Sequence, residues 1–415
     1  MGAMQKLAPV RTQLSVSERR VVWLLAFSTG CIVANIYYVQ PLLADIAHEF
    51  GLSVAQIGAV AMLAQMGTGL GMLFFVPLGD KYERRSLIAT LLVGESIALA
   101  FAASSSDVIR LSVACFCVGA LAATVHVIVP LAAHLAPPKE RGRIVGTVLS
   151  GLLVGVLLAR AFSGVVGAQY GWRTVYWFAS ALMLALAATI RVSLEKSEPE
   201  VSLKWTQLMR SVGSLALEHA VLREAAVLAC LLFMSFSALW TTLVFLLRTP
   251  PYHYGTTAAG LFGLLGASSA AAAPFVGRMS DRHGSERSIL IAIIATLSGY
   301  VLLLFFGRML PGLIVAIALI DIGVQSGHVA NQSRIYSLAP EARSRINTFY
   351  MVAFFAGGSL GSYLGPLGFN SGGWTGFCSI PLAVLVFALV YFIRAGRRRN
   401  RPAGGTLRQP ATELP

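Results

Sequence analysis

Four polar side chains recur at helical spacing inside an apolar stretch late in the chain: Asp321, Gln325, His328 and Gln332. At about 100° per residue the last three fall roughly 40°, −20° and 20° from Asp321, so all four share a stripe about 60° wide. A carboxyl in apolar surroundings can exist charged or neutral, and an imidazole exchanges protons near neutral pH. The chemistry open to this stripe is proton carriage, with Asp321 as the carrier. The alternative is a structural Asp bonded to a neighbouring helix. Glu95, His126 and Arg160 lie in other apolar stretches. Glu95 reads as a second proton site or a packed neutral acid, and His126 as a proton or substrate ligand or a satisfied core imidazole. Arg160 suits an anionic substrate group or an ion pair that holds a gate. Ser28, Asn35 and Tyr38 share a face of the first apolar stretch, and Ser237, Trp240 and Thr241 a face of the seventh. Such amides and rings suit a partly apolar organic molecule of moderate size, and they also occur in ordinary helix packing. His-Glu-x-x-His and Walker sequences are missing, which argues against zinc-dependent hydrolysis and ATP-driven work. Cys31, Cys115, Cys117, Cys230 and Cys378 lie in apolar stretches without disulfide or metal spacing. No catalytic residue, metal or cofactor is expected.

The surrounding elements must hold these groups in a bilayer. Over 415 residues 56% are hydrophobic and 12% charged, with mean hydropathy +0.72. Soluble domains run near ~45–50% apolar and ~25% charged. Apolar runs of spanning length fall near 21–43, 55–78, 86–105, 108–135, 144–168 and 173–191, then 224–247, 256–276, 287–307, 312–337, 347–369 and 374–394. A charge at mid-bilayer costs ~2.5–3.5 kcal/mol, so each one named above needs a reason. With the N-terminus inside, 27 of the 32 Lys and Arg residues fall on the cytoplasmic side and four (Arg110, Arg173, Arg248, Arg308) outside, while Arg160 lies within a run. The net charge of +14 therefore reads as topology, with attraction to lipid head groups second, and not as nucleic-acid binding. The expected organisation is a cytoplasmic N-terminus (1–20) without a cleaved signal, a six-helix bundle (21–191), a cytoplasmic linker (192–223), a second bundle (224–394) and a basic disordered cytoplasmic tail (395–415). Within the linker, apolar spacing over Leu203–Leu217 predicts a helix lying on the membrane surface.

The two bundles are one unit written twice. Asp80-Lys81-Tyr82-Glu83-Arg84-Arg85-Ser86 returns as Asp281-Arg282-His283-Gly284-Ser285-Glu286-Arg287-Ser288, at offset 201. Leu135-Ala136-Pro137 with Arg141 and Arg143 returns as Leu338-Ala339-Pro340 with Arg343 and Arg345, and Gly171-Trp172 as Gly373-Trp374 at offset 202. Parallel repeats in a membrane protein favour a solute site between the halves. Glycines at 67, 69 and 71, at 151 and 155, and at 357, 358, 361 and 365 leave small faces for close packing or sliding. The second, fifth, eighth and eleventh runs are expected where the halves meet.

Leu78-Gly79-Asp80-Lys81-Tyr82-x-Arg84-Arg85, between the second and third runs, resembles the signature of the major facilitator superfamily, Gly-x-Leu-small-Asp-Arg-aromatic-Gly-Arg-Arg. The echo from Gly277 to Gly284 is where that family carries its second copy. Asn35-Ile36-Tyr37-Tyr38-x-Gln40-Pro41-Leu42-Leu43 is similar to a bacterial branch described as drug or sugar efflux permeases. Val76 and Glu83 stand where the motif has Gly, and Cys115 where efflux members often carry Arg. The Gly-Pro-x-x-Gly-Gly of such members is also missing after Gly155. The resemblance implies an all-α membrane protein, twelve transmembrane helices in two pseudo-symmetric six-helix bundles, working as a monomer in the inner membrane. It implies that the first, fourth, seventh and tenth helices line a central cavity. The stripe from Asp321 to Gln332, with Asn35, Tyr38, Trp240, Thr241 and Arg160, would then meet a small organic substrate. Proton-coupled efflux by alternating access is the implied function. Proton symport or facilitated uptake is the alternative, and a non-transporting membrane sensor is the alternative of another class.

Asp80, Arg84, Arg85, Asp281 and Arg282 are expected to form a conformational latch. A carboxylate at a cytoplasmic helix end can meet the positive N-terminus of a neighbouring helix, and the arginines can meet carboxylates or lipid phosphates. Such contacts hold one conformation and break in the other. Asp80→Asn is expected to abolish transport while leaving the protein at wild-type levels in the membrane; normal uptake or export by that variant would remove the latch.

Overall fold

Backbone amides in hydrocarbon have no water to bond, so a spanning chain satisfies them within helices. The computed structural model describes residues 16–137, 140–196, 205–268, 282, 284–339 and 342–399, and among these it contains helix and no strand. The elements are α1 (Val16–Tyr37), α2 (Val39–Phe50), α3 (Val54–Phe75), α4 (Leu78–Lys81), α5 (Arg84–Ala103), α6 (Val108–Ala122), α7 (Val125–Leu135), α8 (Arg141–Tyr170) and α9 (Trp172–Ser193). They continue as α10 (Trp205–Glu218), α11 (Ala220–Arg248), α12 (Thr256–Phe262) with a 3₁₀ turn at Gly263–Gly266, α13 (Ser285–Phe306), α14 (Leu310–Tyr336) and α15 (Arg343–Arg399). Ten of the described helical stretches, with α1–α2 and α6–α7 each counted as one, are long and apolar enough to cross a membrane. One of the ten is two spans, because α15 breaks at Gly372 and Gly373. With α12, which opens the eighth run, the described helices match the twelve apolar runs.

Local chemistry sets the ends. Ser53 caps α3 by accepting from Gln56 N, while Gln56 Oε1 accepts from Ser53 N at 2.9 Å. Asp107 accepts from Arg110 N at the start of α6. The first span breaks at Tyr38, three residues before Pro41. A proline ring excludes the carbonyl four residues back, here Tyr37, so α1 ends there and α2 sets off again.

The repeated Gly-Trp pairs have a structural cause. Gly171 (φ 85°) and Gly373 (φ 57°) reverse the chain between α8 and α9 and within α15, in backbone that side chains rarely adopt. The following indoles are both anchored. Trp172 Nε1 donates to Glu49 Oε2 at 2.6 Å, and Trp374 Nε1 to the Leu303 carbonyl at 3.0 Å. Helix packing repeats too. Gly151 and Gly155 of α8 lie on Ala26 and Gly30 of α1, as Gly357, Gly361 and Gly365 of α15 lie on Cys230, Met234 and Ala238 of α11.

The halves meet along α3 against the first limb of α15, where Gly58 faces Pro366 and Gly69 faces Phe355, and along α8 against α12, where Gly164 faces Gly260. Most of the expected sliding faces do a different job. Gly67 and Gly71 lie against Phe116 and Ala120 of α6, so they join helices within the first half. Arg334 and Glu224 tie α14 to α11 inside the second half through two bonds of 3.1 and 3.2 Å. Outward-facing Trp23, Phe27, Ile97, Phe178, Phe305 and Phe387 are exposed, as a lipid-facing surface requires.

The expected surface helix is α10, and Arg223 Nη1 donates to its Ala216 carbonyl at 2.8 Å. The last helix runs on to Arg399, past the expected start of the tail at 395, because the basic residues after Tyr391 continue the helical turn. Asp281, residues 1–15 and the tail from 400 lie outside the described residues, as does Asp80's side chain.

A side chain at Gly361 would meet the Met234 backbone, which cannot rotate away. Gly361→Val is expected to destabilise the detergent-solubilised protein by at least about 1–3 kcal/mol. Gly213 of α10 has open space around it. Gly213→Ala is expected to be neutral or stabilising by up to ~1 kcal/mol. Thermal unfolding of both variants checks the contrast.

Candidate functional site

Where α8, α11, α14 and the broken first span converge, five charged or aromatic groups from both halves form one cluster. Arg160 of α8 is 2% exposed, and its Nε donates to Gln40 Oε1 of α2 at 2.7 Å. Its guanidinium carbon lies 4.1 Å from the ring centre of Trp240 and 4.8 Å from that of Tyr37. Phe236, one turn before Trp240, lies at 5.8 Å. Trp240 Nε1 donates to Asp321 Oδ1 at 3.1 Å, and Asp321 is also 2% exposed. One indole thus touches the cation of the first half with its face and the carboxylate of the second with its edge. Room for Arg160 comes from α12 and its turn, since a Cβ at Gly263 would press on the Arg160 side chain at 2.6 Å. The cluster borders a narrow seam lined by Gln40, Pro41, Leu243, Val244 and Ala259.

The other polar residues divide into separate neighbourhoods. Asn35 and Tyr38, expected to face the cavity, turn into the first half. Asn35 Nδ2 donates to Glu95 Oε1 at 2.8 Å, and Tyr38 lies 5.8 Å from Phe162, ring to ring. The residue on Arg160 is Tyr37, one position round the helix. Glu95 is fully buried between α5 and α1, apart from the Arg160 cluster. Thr241 Oγ1 donates to Ser362 of α15 at 3.2 Å, away from Trp240's partners.

The stripe on α14 is real as a line but not as a single site. Only Asp321 joins the cluster. Lower down, His328 Nδ1 shares a 3.1 Å hydrogen bond with the Tyr350 hydroxyl, and Gln332 Nε2 donates to Asn347 Oδ1 at 3.4 Å, so both face α15. Gln325, between them, is half-buried. His126 lines a separate cavity of about 360 Å³ at the basic face with Arg84, His134 and Arg141.

The latch motif is partly described. Arg84 Nε donates to the Gly79 carbonyl at 3.1 Å and Arg85 Nη1 to the Leu194 carbonyl at 3.1 Å, which binds the loop to the end of α9 within the first half. Glu83 sets its carboxylate on a helix N-terminus, accepting from Arg85 N and Ser86 N at 3.0 and 2.9 Å. Arg282 is exposed.

At the opposite face the halves are joined by residues that motif reading passed over. Arg248, ending α11, pairs with Asp45 of α2, and Thr256 of α12 donates to the same carboxylate at 2.6 Å. Arg173 Nη1 donates to Glu49 at 2.5 Å nearby, within the first half. In the sequence Arg248 is one loop charge among others, and Gln40 and Tyr37 lie inside a motif without a stated role.

Matches to known proteins agree with this architecture. The family model of the Major Facilitator Superfamily matches residues 25–307 and 252–414. The chain belongs to this superfamily. The uncharacterized transporter YgaY of Escherichia coli O157:H7 is 37% identical over 380 residues, which cover 92% of this chain and 96% of YgaY. Among solved structures, the nucleoside transporter NupG superposes with TM-score 0.76 at 12% identity, covering 92% of this chain and 99% of NupG. A bacterial homologue of the human lysosomal transporter Spinster, inward-facing and occupied, gives 0.74 at 16% identity, with 95% and 100% covered. The protein is thus a multi-pass membrane transporter of this type and not an enzyme.

In this transporter the Asp45–Arg248 pair crosses the far-face seam with both side chains about one-third exposed. A pair screened to that degree is worth about 0.5–1 kcal/mol. Arg248→Ala is expected to raise opening of the far face roughly two- to fivefold. The check is the rate at which an impermeant maleimide modifies Ala259→Cys at the seam; an unchanged rate would mean that the pair does not hold the face closed.

Proposed function

We propose that the transporter carries a small organic compound across the bacterial cytoplasmic membrane by alternating access, coupled to protons through Asp321. The basic face lies in the cytoplasm, as the Lys and Arg distribution favours. The observation that carries this reading is the bond from Trp240 to Asp321 against the ring contact from Trp240 to Arg160. A proton on Asp321 changes the charge facing a cation fixed in the other half. Protonation therefore alters the energy of the seam about which the halves rock, and a ligand at the seam alters it as well. A sensor would bind at the same place without flux.

Efflux in exchange for protons is what the resemblance of the first span implies. Exchange and symport differ in whether proton and substrate occupy the cluster together. The substrate is a single small molecule, and the protein acts as a monomer, since each half already supplies its partner across the seam. Glu95 with Asn35 is the second proton site to test. His328 and His126 lie in other neighbourhoods and come after it.

The test is reconstitution in liposomes that hold a pH-sensitive dye, screened with a compound panel. Compound-dependent proton flux is expected for the wild type and is expected to fall to background in Asp321→Asn. Equilibration of labelled compounds without proton movement would make the protein a facilitator and Asp321 structural. Binding without any movement would leave a sensor.

A further inference from the structure

Arg160 carries the charge least accounted for in the membrane interior. Its Nη2 is buried and meets no acceptor. Among the described residues it makes no ion pair, and Asp321 is held by Trp240 instead. One amide oxygen and three ring faces offset part of the charge of a desolvated guanidinium, but they supply no counter-ion. Asp321 is the carboxylate that acts on it, across Trp240 and without a direct bond, so Nη2 stays open to an acceptor.

We infer that Arg160 seats the carboxylate of the substrate, and that the transported compound is an organic monocarboxylate with a compact apolar body. The inference rests on the transport reading above and names its substrate class. A guanidinium edge presents planar paired donors that match a carboxylate. The charge number follows from the cluster: once Asp321 is protonated, a single cation balances a single anion, and a dianion would leave a buried excess. The apolar body follows from the seam, where Pro41, Leu243, Val244 and Ala259 lie beside Arg160. Ring faces already cover the guanidinium, so a flat apolar body extends a stack that exists.

The same geometry bears on coupling. A substrate carboxylate places a second negative charge near Asp321, which favours the protonated form of that side chain. The other titratable groups facing the cluster are Tyr37 from α1 and Tyr300 from α13, both neutral phenols that leave this balance to Arg160 and Asp321. Acid anion and proton then occupy the cluster together and travel the same way, which is symport.

The test is calorimetric titration of the full-length wild type in lipid nanodiscs with benzoate, phenylacetate, cinnamate and hexanoate, each beside its amide. At least one acid is expected to bind roughly ten- to a hundredfold more tightly than its amide, the range for a hydrogen bond to a charged group. Arg160→Gln should erase that preference and Arg160→Lys restore part of it. The wild-type comparison stands without either variant. Amides matching their acids, no acid binding, or a preference unchanged in folded Arg160→Gln overturns the inference. Counterflow of labelled benzoate in liposomes separates this from the transport reading. Selective binding without counterflow keeps the seat and removes transport. Proton flux evoked only by amines or neutral compounds keeps transport and removes the seat.

Discussion

A guanidinium cannot leave water cheaply, and Arg160 is held in a bilayer span at 2% exposure. Much of the surrounding structure can be read as the accommodation of that charge. Pro41 breaks the first span at Tyr38, and the break delivers Tyr37 to one face of the guanidinium and Gln40 to its Nε. Gly260 and Gly263 remove the side chains that would otherwise fill its place. Trp240 covers another face and turns its N–H toward Asp321. Each element gives the charge a partial partner, and the partners come from both halves.

The contrast with Glu95 shows what location does to a buried charge. Glu95 is fully buried and bonded to Asn35 across α1 and α5, two helices of one half. Asp321 is buried about as deeply, but the Trp240 that donates to it also covers Arg160 of the other half. A proton on Glu95 changes energy within a rigid unit. A charge on Asp321 acts on groups of both halves at the seam.

Glycine packing supplies the rigidity that this division needs. Backbone lies directly on backbone between α1 and α8, α3 and α6, and α11 and α15, at separations no intervening side chain tolerates. Across the seam backbone also meets backbone where Gly164 lies on Gly260, beside Gly69 on Phe355 and the Asp45, Arg248 and Thr256 group at the far face. Halves packed in this way meet along a seam that carries polar side chains at its centre and at its far face.

The amino-acid sequence by itself determined the spans, their approximate ends, the duplication and the identity of the buried charges. All of these follow from local quantities: hydropathy over a bilayer thickness, caps such as Ser53 and Asp107, positive-φ glycines before Trp172 and Trp374, and the rarity of charge in apolar runs. Periodicity also placed Asp321, Gln325, His328 and Gln332 correctly on one side of one helix. It could not say what that side would meet. Asp321 meets Trp240, while His328 and Gln332 meet α15, because a long helix crosses different neighbours along its length. Nor could it choose Tyr37 over Tyr38, or find Gln40 and Asp45 as partners of Arg160 and Arg248. Those pairings join residues 120 and 203 positions apart. They depend on how each helix is rotated and tilted against the next, which is settled by packing summed over whole interfaces and is written in no single segment.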